Sequence, residues 1–199
     1  MADITLDMIK ELRKKTGIGI TSCQEALEKG NGDFDKAIDF LRKKGILKAK
    51  KRADRSASNG YIGSYIHNGQ IGVLVELMSE TDFVSRSEKF QKLANELALH
   101  IAASAPLYVS KDDVPSDVIE KEKEIARDRL KDEGKPEELL DRIAEGQLQK
   151  YYQEVCLLEQ PYVRDEKKKI QDLINEGVAA FGEKIEIGRF QRLVLGTED

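Results

Sequence analysis

The sequence predicts an α+β fold: a three-helix module at the N-terminus, then a small antiparallel sheet packed with helices and carrying a protruding antiparallel helical hairpin. Three observations predict it. Apolar residues recur at helical spacing three times before residue 50, with glycine and asparagine between the runs. Asn68-Gly69 separates two runs of alternating apolar residues, the strongest short-range signal for a β-hairpin. Gly134-Lys135-Pro136 separates two long, charge-rich amphipathic patterns, and so short a connection folds helices back on one another.

The first helix carries Leu6, Ile9 and Leu12 at every third position, and Thr16-Gly17 stops it. Gly17 and Gly19 bracket Ile18 in a tight turn. The second helix opens on a doubled capping signature, Thr21 with Gln24 and Ser22 with Glu25. It buries Cys23, Ala26 and Leu27 and ends at Gly30. Asp33 caps the third, which aligns Phe34, Ile38 and Leu41 and terminates at Gly45. So small a unit buries little area and is marginal alone, which suits a docking module carried on a larger body. Thr16-Gly17-Ile18-Gly19 is not a phosphate loop, because it follows a helix where such a loop follows a strand.

Arg42, Lys43, Lys44, Lys48, Lys50, Lys51, Arg52 and Arg55 crowd the next stretch, and Ser56 to Gly60 marks a boundary. The basic run is read first as a solvated linker helix and second as a contact for an acidic partner surface. No aromatic residue interleaves it, so base stacking has no support. In the hairpin, Ile71, Val73, Val75 and Leu77 share one strand face, and Tyr61, Gly63, Tyr65 and His67 alternate with Ile62, Ser64 and Ile66. Ser85 and Glu88 form a capping box for a helix with the stripe Phe90, Leu93, Ala94, Leu97 and Ile101. The hairpin helices follow, one from Pro115 with Ile119, Ile125, Ala126 and Leu130 inward, the other with Pro136 in its first turn. A last helix runs from Lys167 to Phe181. A third strand carries Ile185, Ile187, Phe190, Leu193 and Leu195, with a bulge or bend at Gly188. The expected domains are 1–55, the docking module with its basic linker, and 56–199, the core with the hairpin at about 115–155.

Composition limits the function. The 199 residues carry a net charge of −4, which gives no global case for nucleic-acid binding. No apolar run reaches the roughly 18 residues that a membrane span needs. Met1-Ala2-Asp3-Ile4 lacks the basic start of a secretory signal, so the expected location is cytoplasmic. Cys23 and Cys156 are isolated and read as buried thiols, with no metal pattern. No serine, cysteine or histidine grouping suggests a nucleophile, and the carboxylates lie on solvated helices. The expectation is a protein that is not an enzyme and holds no cofactor.

The stretch with most chemical content is Glu80-Thr81-Asp82-Phe83-Val84. It lies at a strand-to-helix corner, where scaffolds often present functional side chains. It sets a carboxylate beside a large ring. Taken alone, Phe83 reads as core filler and Asp82 as a turn residue.

Several stretches are similar to elongation factor Ts. Leu12-Arg13, Thr16 to Ile20, Cys23, Ala26-Leu27 and Asn31-Gly32-Asp33 resemble the family's N-terminal signature. Gly63 to His67, Ile71 to Glu76 and Glu80 to Val84 resemble its core. Gly134-Lys135-Pro136, Glu145-Gly146, Glu159 to Val163 and Arg189-Phe190 resemble later signatures. The resemblance runs nearly end to end and is to the short members with one core subdomain. It implies a ubiquitin-associated-like first module and a guanine-nucleotide exchange factor for elongation factor Tu, the GTPase that carries aminoacyl-tRNA. It implies that Thr81, Asp82, Phe83 and Val84 disturb the partner's Mg²⁺ and phosphate site, and that Arg13, Ile20, Thr21 and His67 dock against the partner. Two departures bear on docking. Members often carry two large apolar residues where this chain has Ile20-Thr21, and a lysine where it has Gln24.

Short relatives are thought to pair, so a homodimer through Tyr61, Tyr65 or the 185–195 strand is an expectation, with no cysteine near Phe190 to lock it. A rival class is a ubiquitin-type or nascent-chain binding module built on the first fifty residues. It leaves the sheet and the Asp82-Phe83 corner without a purpose.

Overall fold

Helices form where the apolar spacing places them, and the tertiary contacts decide where they stop. In the computed structural model, residues 4–16 and 18–197 are described, with the backbone alone for Lys48 and Lys50. The expectations placed on Gly17 and on the first three residues lie outside this set. Helices α1 (Leu6–Thr16), α2 (Ile20–Lys29) and α3 (Phe34–Arg52) come first. Ile9, Leu12, Ile18, Cys23, Ala26, Leu27, Ala37 and Leu41 make one buried cluster among them. Leu6 is 61% exposed, and Ile4 and Met8 cover the cluster instead.

The caps correct the sequence reading in part. Asp33 accepts from the Lys36 amide at 3.0 Å and caps α3 as expected. The boxes expected at the start of α2 are replaced by a Gly19 N-cap without a side-chain bond, and Gln24 donates to Glu28 at 3.0 Å. Gly45 does not end α3, which continues to Arg52. A β-carbon on Gly45 would lie 3.1 Å from the Asn175 carbonyl oxygen. The glycine is there for a close helix crossing, and a glycine inside a helix costs less than that clash would.

β1 (Asn59–His67) and β2 (Ile71–Ser79) form the hairpin. Asn68 and Gly69 both have positive φ, 49° and 67°, and the Gln70 amide donates to the His67 carbonyl at 2.9 Å. β2 is central in a three-stranded antiparallel sheet of order β1-β2-β5, with β5 at Ile185–Val194. Val73, Val75, Leu77, Ile185 and Ile187 are buried on one face. The alternation on β5 slips at Gly188-Arg189, both exposed, as the expected bend requires.

α4 (Asp82–Ser85) is a single turn, and α5 (Glu88–Ser104) buries Phe90, Ala94, Leu97 and Ile101. The expected Ser85 box does not form. Ser87 takes the cap by accepting from the Phe90 amide at 3.4 Å, while the Ser85 hydroxyl donates to the Asp82 carbonyl at 3.0 Å. α6 (Ser116–Asp132) and α7 (Glu137–Val155) form the hairpin, with Gly134 at φ 73° in its turn and Pro136 as N-cap of α7. Arg127 donates to Asp141 across it at 2.6 Å. Ile125, expected inward, is exposed, because Ala126 and Leu130 already fill that stripe.

The last expected helix begins later. Residues 165–169 form a strand β4 (Asp165–Lys169) paired with β3 (Pro161–Tyr162), and α8 spans Ile170–Phe181. Lys169 donates to Glu159 at 2.9 Å from this strand. His100 is fully buried. It accepts at Nδ1 from the Val163 amide at 3.3 Å, so Nε2 carries the proton and donates to Gln160 at 2.9 Å. Burial holds this imidazole below its ordinary pKa and therefore neutral. Both cysteines are buried, and burial pushes the Cys156 thiol up to about 11.

By internal packing the chain divides into two units. One contains residues up to 63, 75–96 and 171–188; the other contains 64–74, 97–170 and those from 189 on. No helix among the described residues is long and apolar enough to cross a membrane.

Candidate functional site

β2 ends in the first unit with Leu77 and Ser79 buried and Glu80 half-buried. The chain then turns through Thr81, which is extended at φ −124° and ψ 157°, into α4. Thr81 is the N-cap and its hydroxyl accepts from the Val84 amide at 3.5 Å. Val84 points inward at 5% exposure and anchors the turn. Phe83 points outward at 83% exposure. Its ring is thus not sealed in the fold, and this exposure contradicts the core-filler reading of Phe83. Asp82 is exposed and pairs with Arg86 one turn on at 3.1 Å.

Two glutamates hold this corner, Glu183 from far along the chain and Glu80 within it. Glu183 binds Thr81 twice, accepting from its amide at 3.0 Å and from its hydroxyl at 2.6 Å. Glu80 accepts from the Lys184 amide at 2.6 Å and from Arg55 at 3.0 Å. The Lys184 amide holds the Glu80 carboxyl below its ordinary value; burial opposes it, and Arg55 adds to the lowering. Asn59 donates to the Glu80 carbonyl at 2.9 Å and the Ser79 hydroxyl to the Thr81 carbonyl at 3.0 Å. The outcome is an apolar ring and a carboxylate held out from a backbone fixed on several sides.

The other residues singled out in the sequence lie elsewhere. Arg13 is exposed in the last turn of α1, and Ile20 and Thr21 are exposed at the start of α2. His67 is exposed at the end of β1 in the second unit, where its Nδ1 lies 3.1 Å from the Tyr65 hydroxyl and its Nε2 3.4 Å from the Asn68 side-chain Nδ2. Tyr61 and Tyr65 are half-buried and alternate with Gly63, whose β-carbon would run into Ala94 of α5. Ile66, Leu74 and Leu193 are exposed apolar residues on the second unit's strands, and Leu195 is exposed just past β5. Among the described residues, no group of three or more histidines, cysteines or carboxylates could hold a metal ion.

Sequence reasoning missed Glu183 and the Glu80 clamp. Glu183 is 102 positions from Thr81, and nothing in a local pattern marks such a pair.

The family model described as Elongation factor TS matches residues 44–197. The chain is 51% identical to elongation factor Ts of Nitratidesulfovibrio vulgaris, with 98% of each chain covered. It is 53% identical to that of Oleidesulfovibrio alaskensis over 99% of this chain and 100% of the relative. It is 52% identical to that of Thermosipho melanesiensis over 97% and 99%.

Proposed function

This chain belongs to the elongation factor Ts family of translation elongation factors, which act in nucleotide exchange, and from that premise we propose that it binds elongation factor Tu·GDP and speeds GDP release by disturbing the partner's Mg²⁺ and phosphate site. The observation that carries this reading is the exposed Phe83 on a clamped turn beside Asp82. A ring left in water at 83% exposure has its whole burial energy still to gain from a partner.

Exchange requires tighter binding to the empty GTPase than to the loaded one. Coupling is reciprocal, so the chain weakens GDP by the factor by which GDP weakens the chain. Each tenfold takes about 1.4 kcal/mol. Burying one phenyl ring contributes on the order of 2–3 kcal/mol, enough to favour a displaced helix in the partner. In this reading Phe83 enters an apolar crevice there and Asp82 acts near the groups that order Mg²⁺ and its waters. The phosphates then lose their strongest electrostatic partner. No bond is made or broken in this chain, so it is not an enzyme and needs no cofactor of its own. Thr81 and Val84 hold the turn, and Arg13, Ile20, Thr21 and His67 dock.

The location proposed is the cytoplasm, where translation takes place. A homodimer is proposed through Tyr61, Tyr65 or residues 185–195, where Leu193 and Leu195 are exposed. A light-scattering mass of one chain at working concentration would remove the dimer.

The exchange reading is tested by GDP release from elongation factor Tu with wild type, Asp82→Ala and Phe83→Ala. Loss of stimulation with unchanged folding is expected for the Phe83 variant. Full stimulation by both variants would discard the assignment. Absence of any complex with the wild type would favour the rival binding-module class.

A further inference from the structure

We infer that Glu183 is a positioning residue that fixes the direction in which Phe83 is presented, acting through Thr81; its consequence for nucleotide release rests on the exchange reading above. The inference starts from α4. A helix of one turn, Asp82–Ser85, has too few internal bonds to hold itself. Its direction is therefore set by what grips its ends. At the N-cap, Thr81 uses its hydroxyl oxygen to accept from the Val84 amide at 3.5 Å. That geometry needs the hydroxyl proton to point away, and it points to Glu183 Oε1 at 2.6 Å. The other carboxylate oxygen takes the Thr81 amide at 3.0 Å. Two bonds from one carboxylate fix both the peptide plane of Thr81 and the rotamer of its side chain. Bonds to an ionised acceptor are the stronger kind.

Glu183 sits just before Lys184, whose amide donates to Glu80 at 2.6 Å. Successive residues between α8 and β5 thus clamp successive residues of the corner, in opposite senses: a carboxylate from Glu183 onto Thr81, and a carboxylate from Glu80 onto the 184 backbone. The anchoring Val84 fixes the inner side of the turn. The clamp and the cap act on the entry to the turn that carries Phe83, beside the Ser79 hydroxyl on the Thr81 carbonyl and the exposed Asp82–Arg86 ion pair.

When the presenting conformer is only a fraction of the population, apparent affinity falls by that fraction while the bound complex is unchanged. Loosening the clamp therefore raises the concentration of chain needed for half-maximal GDP release and spares the maximal rate. A merely structural glutamate would lower the thermal midpoint and leave that split untouched.

The test uses the full chain and the variants Glu183→Ala, Glu183→Gln and Thr81→Val. Hydrogen exchange at the Val84 amide and the ¹⁹F signal of fluorophenylalanine at position 83 are read on the free protein. In Glu183→Ala, Val84 protection is expected to fall about tenfold and the fluorine line of the already exposed ring to narrow as its backbone loosens. The half-maximal concentration with elongation factor Tu·GDP is expected to rise about three- to tenfold at a near-constant maximal rate. Glu183→Gln keeps one acceptor oxygen but turns an NH2 donor toward the other Thr81 donor, so both effects are expected in partial form. Thr81→Val removes the hydroxyl arm and with it the cap on the Val84 amide, so it is read by the fluorine signal alone, and it covers the case in which a Glu183 variant fails to fold. Unchanged Val84 protection and an unchanged fluorine signal in Glu183→Ala would overturn the inference. If Phe83→Ala left GDP release untouched, the exchange reading would fail by itself, and the free-protein measurements would still decide the role of Glu183.

Discussion

The Thr81–Val84 corner and the start of α2 both offer an apolar side chain to solvent, but they hold it in different ways. Phe83 stands on a single turn braced by carboxylates from 183 and 80 and by Asn59. Ile20, at 48% exposure, opens an ordinary ten-residue helix behind a glycine cap that makes no side-chain bond. The helix needs no distant brace, because its register is set by its own buried face of Cys23, Ala26 and Leu27. A brace that reaches across the sequence is the expense of aiming one group in a fixed direction. A plain helix face suffices for docking, where shape and area matter more than angle. The two regions therefore have different work in the exchange reading: the bundle holds the partner and the corner acts on it.

That division can be broken experimentally. Phe83→Ala should lower stimulated GDP release by about thirtyfold or more, from about 2–3 kcal/mol of lost burial in the complex. The thermal midpoint should not move, since the ring makes little of the free fold. Gly45→Val should instead strike the bundle's mounting on α8. Its β-carbon would meet the Asn175 carbonyl at 3.1 Å, and unfolding free energy should fall by about 1–3 kcal/mol in a denaturant titration. Gly19, with nothing near its missing side chain, should accept alanine with little change and serves as the control. Ile20→Ala should raise the half-maximal concentration about fivefold and leave the maximal rate alone, from the loss of a half-exposed side chain worth about 1 kcal/mol. An equal fall in maximal rate would erase the distinction between docking and action.

The smallest expected effect is on acidity. The folded state holds the Glu80 carboxyl below its ordinary 4.5, so its bonds to Lys184 and Arg55 favour the fold fully above that pH. They are lost as pH falls through the lower folded value. Amide protection at Lys184 should weaken in that acid window, and Glu80→Gln should abolish the dependence. Protection that weakened above pH 6 instead would point to another group.

Local pattern made the bundle, the Asn68-Gly69 hairpin and the α6–α7 hairpin legible, because each is decided by neighbours in sequence. Gly45 misled for the opposite reason. A glycine that ends a helix and one that admits a neighbouring helix look the same until the neighbour, here Asn175, is in view. The β3–β4 pair was hidden because residues 165–169 are all charged and carry no alternation. Thr21 and Ser85 matched capping signatures, but the helices began one or two residues away, at Ile20 and after Ser87. At the site, the sequence pointed to Thr81, Asp82, Phe83 and Val84, and the side-chain directions came from the fold. The Glu183 brace could not be read, since no local rule links positions 81 and 183.

The measurement that tests the central claim most directly is the affinity of this chain for nucleotide-free and for GDP-loaded elongation factor Tu, by calorimetry, with Phe83 and with alanine in its place. The account predicts tighter binding to the empty GTPase by about a hundredfold or more, shrinking sharply in Phe83→Ala. Equal affinity for the two forms, or a preference that survives loss of the ring, would contradict it.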